Sequence, residues 1–192
     1  MRVDAKARVC VRQSFYSVPA RFAGRRLTAR IGGSRVEVVD GASVVAVHDR
    51  SVVRGSQTLV LDHYLEILVR KPGALPSSLA LAQSRASGAL TPTHERFWKR
   101  ARRRLGDPAG TRVLIEVLLI HRNLPFVAVH AALDVADRIG SIDPGLVAIE
   151  ARRIAEGRGP TGAPVERSTL HRFDRPTPIL AAYDGLLAKA VR

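Results

Sequence analysis

Short segments in which polar and apolar residues alternate fill roughly the first fifty positions of the chain. Five segments of this kind, the later four of them close to glycine or proline, predict strands over residues 5–11, 15–18, 27–31, 35–39 and 43–47. Gly32, Gly33 and Gly41 suit tight turns, and Pro19 closes the second segment because proline cannot donate a ladder hydrogen bond. Five short strands joined by such turns predict a small antiparallel β-barrel.

Helical periodicity replaces the alternation farther along the chain. Residues 62–69 predict a short helix that ends before Pro72 and Gly73. The following stretch, residues 76–90, is rich in Ser, Ala and Leu and is interpreted as a linker that contains a domain boundary.

A longer helical pattern follows this stretch. Thr91 and Pro92 suit an N-cap and a first helical turn, and the nearly all-apolar residues 111–122 predict a buried helix. The expected fold is therefore α+β, a five-stranded barrel followed by helices. The predicted division is a barrel domain over residues 1–75, a linker over 76–90, a helical domain over 91–157, and a flexible tail over 158–192 in which residues 178–191 suit a short helix.

Charge narrows the class of partner. The chain has 192 residues with 31 Lys and Arg against 17 Asp and Glu, a formal charge of +14 and a pI near 11.4. Such an imbalance favours a polyanionic partner, with nucleic acid ahead of an acidic membrane surface. The single Cys10 cannot form an intramolecular disulfide, and no apolar stretch is long enough to span a bilayer. We therefore expect a cytoplasmic protein with no membrane contact.

No constellation of residues points to catalysis. The carboxylates are scattered, the six histidines show no HxH or HExxH spacing, and no GxSxG, P-loop or GxGxxG motif follows a strand. His121 and His130 flank the apolar helix and are interpreted as capping or partly buried residues rather than ligands. We expect no catalytic residue, no metal site and no cofactor in this chain.

Basic residues crowd one predicted helix. These residues are Arg96, Lys99, Arg100, Arg102, Arg103 and Arg104, with only Glu95 nearby to offset them. Phe97, Trp98, Ala101 and Leu105 lie on the opposing face, which is expected to dock on the helical core. Basic side chains at one-turn spacing can follow a phosphate backbone. The alternative is a solvated face without a ligand.

Two smaller basic clusters accompany this helix. One lies in the predicted barrel and consists of Arg21, Arg25, Arg26 and Arg30, and the other is the pair Arg70 and Lys71. Both are candidates for nucleic-acid contact. Phe15, Tyr16 and Phe22 are candidates for stacking on bases, although barrel core is the commoner role for such aromatics.

Three strings carry a family resemblance. The first, SFYSVP at residues 14–19, resembles the strand that opens the C-terminal barrel of Mu-like transposases. The strings VVAVHDR at residues 44–50 and HYLEILVRKPGAL at residues 63–75 resemble the end of that barrel. Their order and spacing resemble the large transposase of insertion sequences of the twenty-one type, over about residues 5–157.

The resemblance implies a role in transposition. Transposases of this family join DNA ends with three carboxylates that hold two divalent metal ions in an RNase-H-like core, which precedes the barrel. It also implies that the barrel touches DNA, and that the helices engage other transposase chains or an AAA-type ATPase helper. We expect this chain to lack the catalytic core and to be inactive alone. The alternatives are a stand-alone nucleic-acid-binding module and a protein-interaction piece that docks on the helper.

Overall fold

The structure is a computed structural model that describes residues 1–157. Its strands are β1 (Arg8–Val11), β2 (Ser14–Ser17), β3 (Thr28–Ile31), β4 (Arg35–Asp40), β5 (Ser43–Asp49) and β6 (Gln57–Thr58). Its α-helices are α1 (Leu65–Arg70), α2 (Leu79–Ala86), α3 (Pro92–Leu105), α4 (Asp107–Ile120), α5 (Phe126–Arg138) and α6 (Pro144–Ala155). The predicted α+β class is confirmed. The predicted tail and its short helix lie outside the described residues.

The strands form two small sheets rather than one closed barrel. One sheet has the order β1-β2-β6 and the other β3-β4-β5, so the described residues contain six strands where five were predicted. The pairing of β2 with β6 is parallel, through Phe15 with Gln57 and Tyr16 with Thr58, which also corrects the all-antiparallel expectation. A two-residue strand has no period of its own, so only its long-range pairing with β2 creates it.

Ser17, inside the SFYSVP string, connects β2 to the segment that leads into the helices. Its buried hydroxyl accepts a hydrogen bond from the Val60 amide at 2.8 Å and lies 2.8 Å from His63 Nδ1. Its carbonyl accepts a 2.6 Å hydrogen bond from His48 Nε2. Burial, followed by the nearby charge of His48, lowers the pKa of His63 to about 4. Part of the family-like string therefore has a structural role.

Helix α2 occupies part of the segment that the sequence pattern interprets as a linker. Ser78 caps it by accepting a hydrogen bond from the Leu81 amide at 3.2 Å, and Leu81 is fully buried. The Gln83 side chain also joins the helix to the β6 region, since it accepts from the Leu59 amide and donates to the Gln57 carbonyl, both at 2.7 Å. A helix this short depends on packing more than on its own propensity. The domain boundary at residues 76–90 stays a prediction.

Helix α4 lies in the middle of the helical core, as its apolar sequence predicted. Leu114 and Ile115 pack in a cluster with residues of α1, α2 and α3, among them Leu65, Leu81 and Trp98. The opposite side of α4 contributes Val117 to a second cluster, which contains Phe97, Val129, Leu133 and Val147. Within residues 1–157, no helix has the length and apolar character needed to cross a membrane.

Candidate nucleic-acid interface

The basic helix α3 begins at the predicted cap. Pro92 is its first residue, and the Thr91 amide donates to His94 Nδ1 at 3.3 Å. Because Nδ1 accepts this bond, Nε2 of His94 carries the hydrogen and donates to His121 Nε2 at 3.0 Å. Burial, and then the neighbouring His121 and His130, lower the pKa of His94 to about 4. His121 and His130 are partly buried, as interpreted from the sequence.

Trp98 anchors α3 to the helical core. Its indole Nε1 donates to Thr111 Oγ1 at 3.0 Å in a buried contact between α3 and α4. The guanidinium of Arg102 lies 5.4 Å from the centre of the Trp98 ring and that of Arg85 lies 5.8 Å away. Both distances suit a cation–π interaction. The docked face predicted for Phe97, Trp98 and Ala101 is therefore confirmed.

Leu105 was predicted on the same docked face, and that prediction is wrong. It is 47% exposed. Leu105 is the last residue of α3, and Gly106, with a φ of 80°, turns the chain directly into α4. The helical period continues to the end of α3, but the packing that would cover Leu105 does not.

Helix α5 runs alongside α3 in the same direction. Its carboxylates form ion pairs with two of the arginines that the sequence predicted to contact phosphate. Arg96 lies 3.2 Å from Asp137 and 3.6 Å from Asp134, and Arg100 also pairs with Asp137. Burial acts to raise the pKa of Asp137, but hydrogen bonds from Arg100 and Arg96 outweigh it and hold that pKa below its usual value.

The charge of the helix is therefore offset more than the sequence indicated. Glu95, the only acid expected to balance the cluster, pairs instead with Arg85 of α2 at 2.7 Å. Arg102 pairs with Asp107 at 2.7 Å, just beyond the turn into α4. No local sequence pattern indicates the pairing with the acids of α5, because these acids lie far along the chain and meet α3 only in the folded protein.

Three basic side chains of α3 remain without an ion pair among the described residues. They are Lys99, Arg103 and Arg104, all exposed. Lys99 and Arg103 are four residues apart, about one helical turn, so both project from the same side of α3. These three side chains form what we call the α3 basic face.

The basic cluster predicted in the N-terminal part of the chain also contains side chains with and without a partner among the described residues. Arg25 lies 3.3 Å from Asp40, and the guanidinium of Arg21 covers the Phe22 ring at 5.0 Å from its centre. Arg26 and Arg30 are exposed, and no ion pair within residues 1–157 involves them.

The three aromatic side chains of the sheets do not form an open stacking platform. Tyr16 and Phe22 are buried, so the core interpretation is confirmed for both. Phe15 is half-buried beneath the guanidinium of Arg8, which lies 4.7 Å from the centre of its ring.

Next to the pair Arg70 and Lys71, the chain makes a contact with α4 that the sequence did not suggest. Both side chains are exposed at the end of α1. Arg112 of α4 donates to the Val69 carbonyl at 3.2 Å, across a sequence separation of 43 residues. No local pattern could have indicated this contact. Among residues 1–157, no group of three His, Cys, Asp or Glu side chains is arranged to hold a metal ion.

An α+β protein with a basic helix on its surface is thus the class that the described residues define. Residues 1–60 match the family described as Mu transposase, C-terminal domain. A transposase from Aminobacter aminovorans is 28% identical over 197 residues, which cover 100% of this chain and 37% of that protein. No solved structure matches the chain.

Two further relatives carry a more specific description. The transposase for insertion sequences IS1326/IS1353 from Pseudomonas aeruginosa is 28% identical over 176 residues, or 89% of this chain and 33% of that protein. The protein of the same description from Shigella flexneri gives the same values. The chain thus spans about a third of the length of the curated relatives it matches. These matches confirm the resemblance to the C-terminal region of Mu-like insertion-sequence transposases.

Proposed function

We propose that this region contributes DNA binding to an insertion-sequence transposase, chiefly through phosphate contacts of the α3 basic face. The observation that carries the proposal is a set of three exposed cations on a helix whose other face is buried. These cations are Lys99, Arg103 and Arg104, and none of them forms an ion pair within residues 1–157. The likeness to transposases supports DNA as the polyanion that the charge of +14 favours.

The rigidity of α3 makes its basic face suitable for this task. Trp98 and its hydrogen bond to Thr111 hold the helix against α4, and the pairs of Arg96 and Arg100 with Asp137 hold it against α5. Side chains on a fixed helix lose less backbone freedom on binding than side chains on a loop. Each phosphate that they neutralise also releases condensed counterions, which favours binding at low salt.

The remaining parts of the proposal come from the family likeness. The N-terminal, strand-containing part of the chain would contribute Arg21, Arg26 and Arg30, and the helices would help assemble the complex with other transposase chains or an AAA-type ATPase helper. The chain by itself would neither cut nor join DNA, because strand transfer in this family depends on the carboxylates of the RNase-H-like core. Since a bacterial chromosome lies in the cytoplasm, we place the protein there.

Salt dependence of DNA binding tests the proposal. Fluorescence anisotropy with a labelled duplex gives the slope of log affinity against log salt concentration. Substituting Lys99, Arg103 and Arg104 together by Ala should flatten that slope by roughly 3, because each lost phosphate contact contributes about 0.9. Exposed cations contribute little to stability, so the circular dichroism spectrum should stay unchanged.

A matched variant tests whether DNA binding depends on the position of the three charges or only on the net charge of the protein. Substituting Arg21, Arg26 and Arg30 by Ala removes the same number of charges from the N-terminal, strand-containing part of the chain. A smaller change of slope in this variant than in the α3 variant would support α3 as the principal contact. An unchanged slope in the α3 variant would contradict the proposal and leave its basic face as a docking surface for an acidic protein.

A further inference from the structure

A second group of basic side chains lies at the end of the sheets. No sequence pattern predicts that these residues lie close together. A cavity of about 410 Å³ there, which we call the hairpin pocket, is lined by Arg12, Arg50 and Arg54. Its floor is formed by Tyr16 and Val36, both buried. A volume of this size lies in the range of roughly 300–1,000 Å³ that small-ligand sites occupy.

The turn that carries Arg12 has an uncommon backbone. Val11 pairs with Ser14, so Arg12 and Gln13 alone make the turn between β1 and β2. Their φ angles are 46° and 65°, in the left-handed region that glycine or asparagine usually occupies in such turns. Strain of this kind persists only where surrounding contacts hold it, and it concentrates at functional sites.

Those surrounding contacts come from the loop over residues 50–56. Ser14 Oγ donates to the Val53 carbonyl at 2.9 Å, and the Gly55 amide donates to the Gln13 carbonyl at 2.8 Å. The Ser51 amide donates to the Tyr16 hydroxyl at 2.9 Å, so the buried floor is tied to the same loop. The turn and the loop are therefore fixed against each other, and the arginines that they carry are held at one pocket.

The charges of the hairpin pocket have no acidic partner among residues 1–157. No carboxylate lines the cavity, and within residues 1–157 neither Arg12 nor Arg54 takes part in an ion pair. Arg50 donates one hydrogen bond, at 3.2 Å, to the Gly32 carbonyl. On α3, by contrast, Asp137 offsets Arg96 and Arg100. Positive charges carried by residues that line one cavity repel one another unless an anion lies between them.

We propose that the hairpin pocket binds a backbone phosphate of duplex DNA, at a site separate from the α3 basic face. This inference rests on the proposed DNA-binding function and adds a second point of contact to it. Guanidinium groups match the geometry of phosphate oxygens and form paired hydrogen bonds with them.

The test uses the full chain, a labelled duplex and the double variant Arg12→Gln with Arg54→Gln. Both side chains are exposed, and Gln keeps a polar group at each position, so folding should be unaffected. If one phosphate occupies the pocket, the salt slope should flatten by about 1 and affinity at fixed salt should fall roughly tenfold. The variant Arg12→Lys with Arg54→Lys should keep the slope but lose affinity, since Lys lacks the planar fork.

A second measurement, by NMR, detects binding at the hairpin pocket directly. The NMR signals of the Arg12 and Arg54 side-chain Nε–H groups should shift on titration with the duplex, and not with sodium chloride at equal ionic strength. Inorganic phosphate provides the comparison, and the duplex should act at lower concentration. Signals that move with inorganic phosphate but not with the duplex would overturn the assignment to DNA, and signals that move with neither would overturn the pocket as a phosphate site.

Parallel measurement of the α3 variant keeps the two proposals distinguishable. If the α3 variant loses salt dependence and the Arg12/Arg54 variant does not, the hairpin pocket inference fails and the proposed function stands. If only the Arg12/Arg54 variant loses salt dependence, the pocket stands and the α3 basic face is wrong. A wild-type chain that shows no salt-dependent binding to duplex DNA would overturn both.

Discussion

Gly110 of α4 packs against the backbone of Arg102 in α3 so closely that no side chain fits between them. A Cβ atom added at position 110 would overlap the Arg102 main chain and lie 2.6 Å from the carbonyl carbon of Ala101. The two helices are joined by a single residue between them, Gly106, and this close approach lets α4 hold α3 along the segment that carries the basic residues. The position of the α3 basic face therefore depends on the absence of a side chain at residue 110.

The first prediction concerns this contact. Gly110→Ala should lower the free energy of unfolding by about 1–3 kcal/mol, because neither backbone can move without disturbing the core. Urea unfolding followed by circular dichroism measures the effect, and the near-ultraviolet signal of Trp98 should change as α3 moves. Gly73→Ala is the control, since a Cβ there meets no atom within 4 Å. Equal stability of the two variants would show that the α3–α4 contact tolerates a methyl group.

The second prediction concerns Asp137, which pairs with both Arg96 and Arg100. Asp137→Asn should release Arg100 toward the α3 basic face and leave Arg96 with Asp134 as its only acidic partner among the described residues, so DNA binding should tighten and the salt slope should steepen by about 1. The pairs are partly exposed, so their loss should cost no more than about 1 kcal/mol of stability.

Glu116→Gln is the matched control for this variant. Glu116 is exposed on α4, and its substitution changes the net charge by the same amount. Affinity should rise more in Asp137→Asn than in Glu116→Gln. If both variants gain affinity equally, net charge alone decides binding, and the arrangement of α3 and α5 is irrelevant to it.

The third prediction concerns the pH dependence of stability. His94 has a folded-state pKa of about 4 because burial and the neighbouring His121 and His130 disfavour its charged form, against 6.5 for the free side chain. Between these two values the unfolded chain binds a proton that the folded chain does not. The free energy of unfolding therefore has its full value, as far as His94 is concerned, above pH 6.5. It decreases as the pH falls toward 4.

Urea unfolding at several pH values from 7 to 4.5 tests this sign. The contribution of His94 should fall by about 2–3 kcal/mol over that range. His94→Gln should reduce the pH dependence, because Gln does not titrate and can still accept the Thr91 amide at the third position of the helix. His63, whose pKa is also about 4, should retain a dependence of the same sign. A pH profile unchanged by His94→Gln would exclude His94 as its source.

The sequence alone determined those features that local patterns encode. Glycine and proline between alternating segments placed β3, β4 and β5 to within a residue or two, and Thr91 with Pro92 marked the start of α3. The apolar character of α4 indicated its burial. The excess of basic residues indicated a polyanionic partner, and the SFYSVP and RKPGAL strings indicated the likeness to Mu-like transposases that the comparisons also find. Each of these signals lies within a short stretch of chain.

Only the tertiary structure decided which basic side chains are paired and which elements form without a periodic pattern. Strand β6 depends on its pairing with β2, and α2 depends on contacts such as those of Gln83 with Gln57 and Leu59. Asp137 reaches Arg96 across 41 residues of sequence, and Arg12 meets Arg50 and Arg54 only at the hairpin pocket. The physical reason is the same in each case: periodicity records the environment of a segment, whereas an ion pair or a shared cavity depends on how distant segments pack.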